Sequence, residues 1–139
     1  MSTRYESYLL GLTGAVSALA VAALFAPWLR TGSATRNSFQ VVQAADHLDV
    51  LPGGPQTLLS VVWAFVPLLA VLGVLALIVN RAWAAAGLLV GVGFLEAIFG
   101  VVVMNAPRSA DWGAKAGLAV GLTLVVAAAG TTWTTRSTT

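Results

Sequence analysis

Residues 57–104 read TLLSVVWAFVPLLAVLGVLALIVN followed by RAWAAAGLLVGVGFLEAIFGVVVM. Two apolar runs, 57–79 and 82–104, are separated only by Asn80 and Arg81, and one carboxylate, Glu96, interrupts them. Each run is long enough to cross a bilayer core of ~30 Å as a helix rising ~1.5 Å per residue. So short a connection sends the second helix back alongside the first as an antiparallel pair. Pro67 removes one backbone hydrogen bond from the first run and is expected to bend it. This hairpin sets the fold class: an all-α membrane protein.

Working outward, runs 8–29 and 114–133 complete four transmembrane helices in a single domain, 1–139. Ala18-Leu19-Ala20 has the look of a signal cleavage site, but the apolar stretch continues well past Ala20, so this run reads as a retained helix. The chain is 58% hydrophobic and 9% charged, whereas a soluble domain carries about a quarter charged residues. No segment shows the period-two alternation over about ten residues expected of a membrane barrel. Trp28, Trp83, Trp112 and Trp133 fall at run ends and Trp63 lies about two turns inside. That is the placement of residues seeking the headgroup level.

Composition excludes several function classes. There is no cysteine and only one histidine, so thiolate metal sites, iron–sulfur clusters, disulfide chemistry and bis-His haem ligation within this chain are not expected. The six Arg and one Lys form no cluster able to grip a phosphate backbone, and no nucleic acid is expected as a partner. His47 lies between Asp46 and Asp49, but three candidate ligands on one short segment do not make a metal site. No nucleophile–base set and no phosphate-binding glycine loop can be assembled. A non-enzymatic protein without catalytic residues, cofactor or metal is therefore expected, with the lipid bilayer as its first partner.

The longest polar stretch, 30–56, follows the first span. Asn37 stands before Ser38-Phe39-Gln40, the pattern of an N-cap with Gln at the third helical position. Val41, Val42, Ala45 and Leu48 recur at helical spacing, with Gln40, Gln43, Asp46 and His47 opposite. Pro52-Gly53-Gly54-Pro55 forbids continuation. The spacing predicts a short amphipathic helix over Ser38–Leu51, lying at the membrane surface.

Gly113, Gly117 and Gly121 make two overlapping small-xxx-small steps on the fourth span, and Gly87 and Gly91 make another on the third. Lipid supplies no hydrophobic drive between helices, so such spacing serves close backbone approach. It either closes the bundle or docks another membrane protein. Glu96, about three residues past the middle of its span, costs roughly 2.5–3.5 kcal/mol on insertion scales unless neutralised. Gly93 and Gly100 share its helical face, so that face is expected to meet another helix closely and to point Glu96 into protein. Lys115, at the same end of the bundle, is a stretched but reachable counter-charge, and a proton is the alternative.

The loop after the first span carries a pattern: Pro27-Trp28-Leu29-Arg30-Thr31-Gly32, then Arg36-Asn37-Ser38-Phe39, then Ala44-Ala45-Asp46-His47-Leu48, with Trp63 and Pro67 following. Through Trp28, Gly32, Arg36, Ser38 and Phe39 it resembles small four-helix integral membrane proteins of actinobacteria, over about the first half of the chain. The resemblance implies the bacterial inner (plasma) membrane, a first loop facing outside and cytoplasmic termini. The charge count leans slightly the other way, with Arg4, Arg81 and Arg136 on the terminal side against Arg30, Arg36, Arg108 and Lys115. It also implies association with larger envelope assemblies, Mce-type lipid importers among them. The function expected is a non-enzymatic accessory or stabilising subunit of a larger cell-envelope membrane complex, bound to other integral membrane subunits. The alternative is a small oligomeric transporter or channel using Glu96.

Overall fold

The computed structural model describes residues 2–47, 55–106 and 110–136. In chain order the elements are α1 (Ser2–Phe25), β1 (Leu29–Thr31), β2 (Ala34–Arg36), α2 (Ser38–His47), α3 (Pro55–Ile78), α4 (Ala82–Met104) and α5 (Trp112–Arg136). Four of the helices hold apolar segments of 19, 22, 23 and 20 residues, long and apolar enough to cross a membrane. Their outward faces carry large apolar side chains, among them Leu12, Leu19, Phe65, Val71, Phe94 and Val126. Monomers that fold in water rarely leave apolar surface of that extent uncovered.

Helix α5 packs between α1 and α4, and α4 packs also on α3. The α4–α5 seam is a backbone-to-backbone approach. A Cβ at Gly93 would stand 2.5 Å from the Gly121 carbonyl oxygen, and one at Gly121 equally close to the Gly93 oxygen. At Gly100 it would stand 2.9 Å from the Ala114 oxygen. Only glycine permits these backbone spacings. On α3, a Cβ at Gly73 would instead meet the Leu89 side chain of α4, which would have to shift.

Several boundaries differ from the sequence reading. The first span ends at Phe25, not Leu29, because Pro27 disfavours helix in the residue before it; it also starts earlier, at Ser2. Helix α5 is longer than 114–133 at both ends. Helix α3 runs through Pro67 as one element. The turn at Asn80-Arg81 is as tight as expected, and Asn80 takes the left-handed backbone (φ 61°) that closes it; Asn is among the few residues that adopt it readily.

Residues 29–47, after the first helix, form regular structure. Leu29↔Arg36, Arg30↔Thr35 and Thr31↔Ala34 pair as an antiparallel hairpin that the sequence reading did not anticipate. Gly32 takes φ 63° at the first turn position, where a two-residue hairpin turn with one positive φ places its glycine. The capping box forms as expected: Gln40 N–H donates to Asn37 Oδ1 and Asn37 N–H to Gln40 Oε1, both at 3.0 Å. Helix α2 then occupies Ser38–His47. The rest of its expected length, with Asp49, the Pro52–Gly54 turn, Pro107 and Arg108, lies outside the described residues.

Candidate functional site

The polar and aromatic side chains near the hairpin end of the bundle converge on Trp28. After α1 stops, Pro27 carries the chain inward, and Trp28 is fully buried with its Nε1–H donating to the Ala23 carbonyl at 2.7 Å. This corrects the reading of Trp28 as a headgroup-level residue: its N–H finds a protein partner, so it has no need of the interface. Trp83, Trp112 and Trp133 are exposed, as that reading requires. The room for Trp28 comes from α5, where a Cβ at Gly117 would collide with the indole and one at Gly113 with the Pro27 carbonyl.

Two aromatic rings complete the cluster. Trp63 meets Trp28 edge-on at 6.2 Å, and Phe99 lies 5.4 Å from Trp28 and 4.3 Å from Trp63. The Trp63 Nε1–H donates to Ser38 Oγ at 3.1 Å, and the Ser38 hydroxyl donates to the Leu24 carbonyl at 2.7 Å. Ser38 is therefore both the first residue of α2 and the relay that ties α2 to α1 and α3. Phe39 packs on Phe25, ring centroids 5.3 Å apart.

The α4–α5 connection closes over the hairpin. Trp28 N–H donates to the Arg36 carbonyl at 2.8 Å, Asp111 N–H to the Trp28 carbonyl at 2.9 Å, and Gly113 N–H to the Pro27 carbonyl at 2.8 Å. Leu29 bridges Ala110, and Arg30 Nε pairs with Asp111 Oδ2 at 3.2 Å. Arg30 is mostly exposed, so that ion pair contributes within the ~0–1 kcal/mol typical of surface pairs. Thus Trp28, Ser38 and Phe39 of the sequence pattern lie together inside this cap, while Gly32 shapes its turn and Arg36 contributes backbone, its side chain exposed.

Glu96 is the second centre. It is fully buried, on the α4 face shared with Gly93 and Gly100, and that face does pack on α5. A Cβ at Gly121 would lie 3.2 Å from Glu96 Cβ. Neither carboxylate oxygen has a hydrogen-bond partner among the described residues. Lys115 is exposed and makes no ion pair with Glu96. The expected counter-charge is thus corrected: Lys115 has its place on the outer side of α5, and reaching inward would bury its ammonium. An ionised Glu96 would be an uncompensated buried charge, costly in any low-dielectric interior.

Gly87 and Gly91 are corrected as internal packing residues. Both are exposed, and a Cβ at either would meet nothing within 4 Å. The seam of α4 runs instead through Gly93 and Gly100. Sequence reasoning also missed the buried hydroxyls Thr13 and Ser60, neither side-chain oxygen having a hydrogen-bond partner among the described residues. The available signal was a lone hydroxyl within an apolar run. Among the described residues no three His, Asp or Glu side chains gather as metal ligands. Comparison with family models, curated proteins and solved structures finds no match.

Proposed function

We propose that this chain is a multi-pass protein of the bacterial plasma membrane, a non-enzymatic accessory or stabilising subunit of a larger cell-envelope membrane complex. In that reading its termini are cytoplasmic and the loop 30–56 faces outside. The observation that carries it is the cap. The aromatic and polar groups buried there, Trp28, Trp63 and Ser38, are spent on holding the hairpin and α2 rigidly to the bundle. What remains outward is an ordered surface, with all three residues of β2 exposed. A rigid surface loses little conformational entropy when a partner binds it. A lipid-transport assembly is the kind of complex that the loop resemblance suggests.

Purification of the full chain from its native membrane in mild detergent tests this. A larger membrane partner is expected at fixed stoichiometry, and Thr35→Glu with Arg36→Glu on β2 is expected to release it without changing thermal stability. Recovery of the chain alone contradicts the proposal.

One observation favours a second reading, a small oligomeric transporter or channel. Within four membrane spans Glu96 would be an intramembrane carboxylate, unsatisfied among the described residues, the kind of residue that marks ion pathways. Recovery as a homo-oligomer whose ion flux in proteoliposomes is lost in Glu96→Gln would select it.

A further inference from the structure

Helices α1 and α3 meet only loosely, and a cleft runs between them. Its deep part, about 230 Å³, is lined by Gly14, Ser17 and Ala18 of α1 and by Ala70, Val71 and Val74 of α3. A second pocket of about 330 Å³, lined by Leu10, Leu77, Ile78 and Asn80, adjoins it at the shared Val74. The hydroxyl on the deep wall, Ser17 Oγ, donates to the Thr13 carbonyl at 2.7 Å and requires nothing of an occupant. A side chain added at Gly14 would meet nothing within 4 Å, so the wall stands open. The shallow end finishes at the exposed Asn80, and Arg81, also exposed, is the next residue of the chain.

We propose that this cleft holds one acyl chain of a bilayer phospholipid, with its head group against Asn80 and Arg81. The inference rests on the membrane reading above but not on the accessory role. Three features select a lipid. The first is polarity: the wall is apolar at depth and polar only at the mouth, as an amphiphile is. The second is length: Ala70 to Ile78 spans ~12 Å of helix, close to one leaflet's half of a ~30 Å core. The third is width. The groove lies between two helices that touch each other, with Ser17 and Ala70 buried at its floor, so its floor is narrower than a helix ~10 Å across. A slender chain fits where a partner helix does not. Arg81 adds a cation at the depth of the phosphate, which favours an anionic head group.

Native mass spectrometry of the full chain in mild detergent, supplied with phosphatidylglycerol or phosphatidylcholine, tests the proposal. One phospholipid per copy is expected, with phosphatidylglycerol preferred. Gly14→Phe, which fills the cleft, is expected to lower occupancy by about tenfold or more with an unchanged melting temperature. Arg81→Gln is expected to abolish the preference but keep one phospholipid bound per copy. Ala18→Phe blocks the same wall from another position and serves if Gly14→Phe fails to fold. Wild-type chain that retains no phospholipid, or occupancy unmoved by a folded blocking variant, overturns the proposal. So does a dimer that Gly14→Phe disperses, which would make the occupant a second copy. Such a failure beside intact four-span labelling would leave the membrane reading standing.

Discussion

The indole of Trp28 occupies the space that a side chain at Gly117 would fill. The residue that begins the loop and the middle glycine of the α5 stripe are thus one packing unit, joining the cap to the last helix. Gly117→Ala is expected to destabilise the chain by about 1–3 kcal/mol, the usual range for overpacking. Thermal melts in detergent measure it. In a Trp28→Ala background the same change is expected to cost far less, and additive effects of the two substitutions would refute the contact.

Ser38→Ala is expected to cost more than a surface serine change, about 1–3 kcal/mol, because it leaves the buried Trp63 N–H without an acceptor. Ser33→Ala, on the exposed hairpin turn, is the control and is expected to fall within about 0.5 kcal/mol of wild type. A shift in tryptophan fluorescence should accompany Ser38→Ala only. Equal melting temperatures for the two variants would refute the relay.

Lys115→Ala is expected to change stability by no more than about 0.5 kcal/mol, because Lys115 does not reach Glu96. Glu96→Gln is expected to keep the fold, since no charge partner is lost. Glu96→Met is expected to match or exceed the wild-type melting temperature, because an apolar side chain of similar volume removes a buried unpaired group. A coupling energy between Lys115→Ala and Glu96→Gln above about 0.5 kcal/mol would show that the pair forms after all. Loss of ion flux in Glu96→Gln proteoliposomes, with folding intact, would favour the transporter reading.

What the sequence made legible follows from the strength of each signal. The hairpin of α3 and α4 was readable because two long apolar runs admit one connection at Asn80-Arg81. The cap of α2 was readable because Asn37 and Gln40 sit at the spacing that two reciprocal hydrogen bonds require. The β1–β2 hairpin was not, because strands of three residues have no periodicity to detect and Arg30, Thr31 and Thr35 look like any polar loop. Trp28 was misplaced because a tryptophan at the end of an apolar run has the same sequence signal whether it turns outward or inward. Only Gly113 and Gly117, far along the chain, decide the matter. On α4 two glycine faces competed. Gly87 and Gly91 have the tighter spacing, but Gly93 and Gly100 flank Glu96, and the face that buries the carboxylate is the one that meets α5.

Four membrane crossings underlie every functional statement, and cysteine accessibility in intact cells tests them most directly. The chain has no native cysteine, so Thr3→Cys, Ser33→Cys and Thr138→Cys each report one position to an impermeant thiol reagent. An even number of spans puts Thr3 and Thr138 on one side, and a single span puts Ser33 on the other. The expected result is labelling at Ser33 alone, with Thr3 and Thr138 reacting only after permeabilisation. Labelling at both ends with Ser33 protected would keep four spans and invert the orientation proposed here. Ser33 on the same side as either terminus would contradict the four-span account itself.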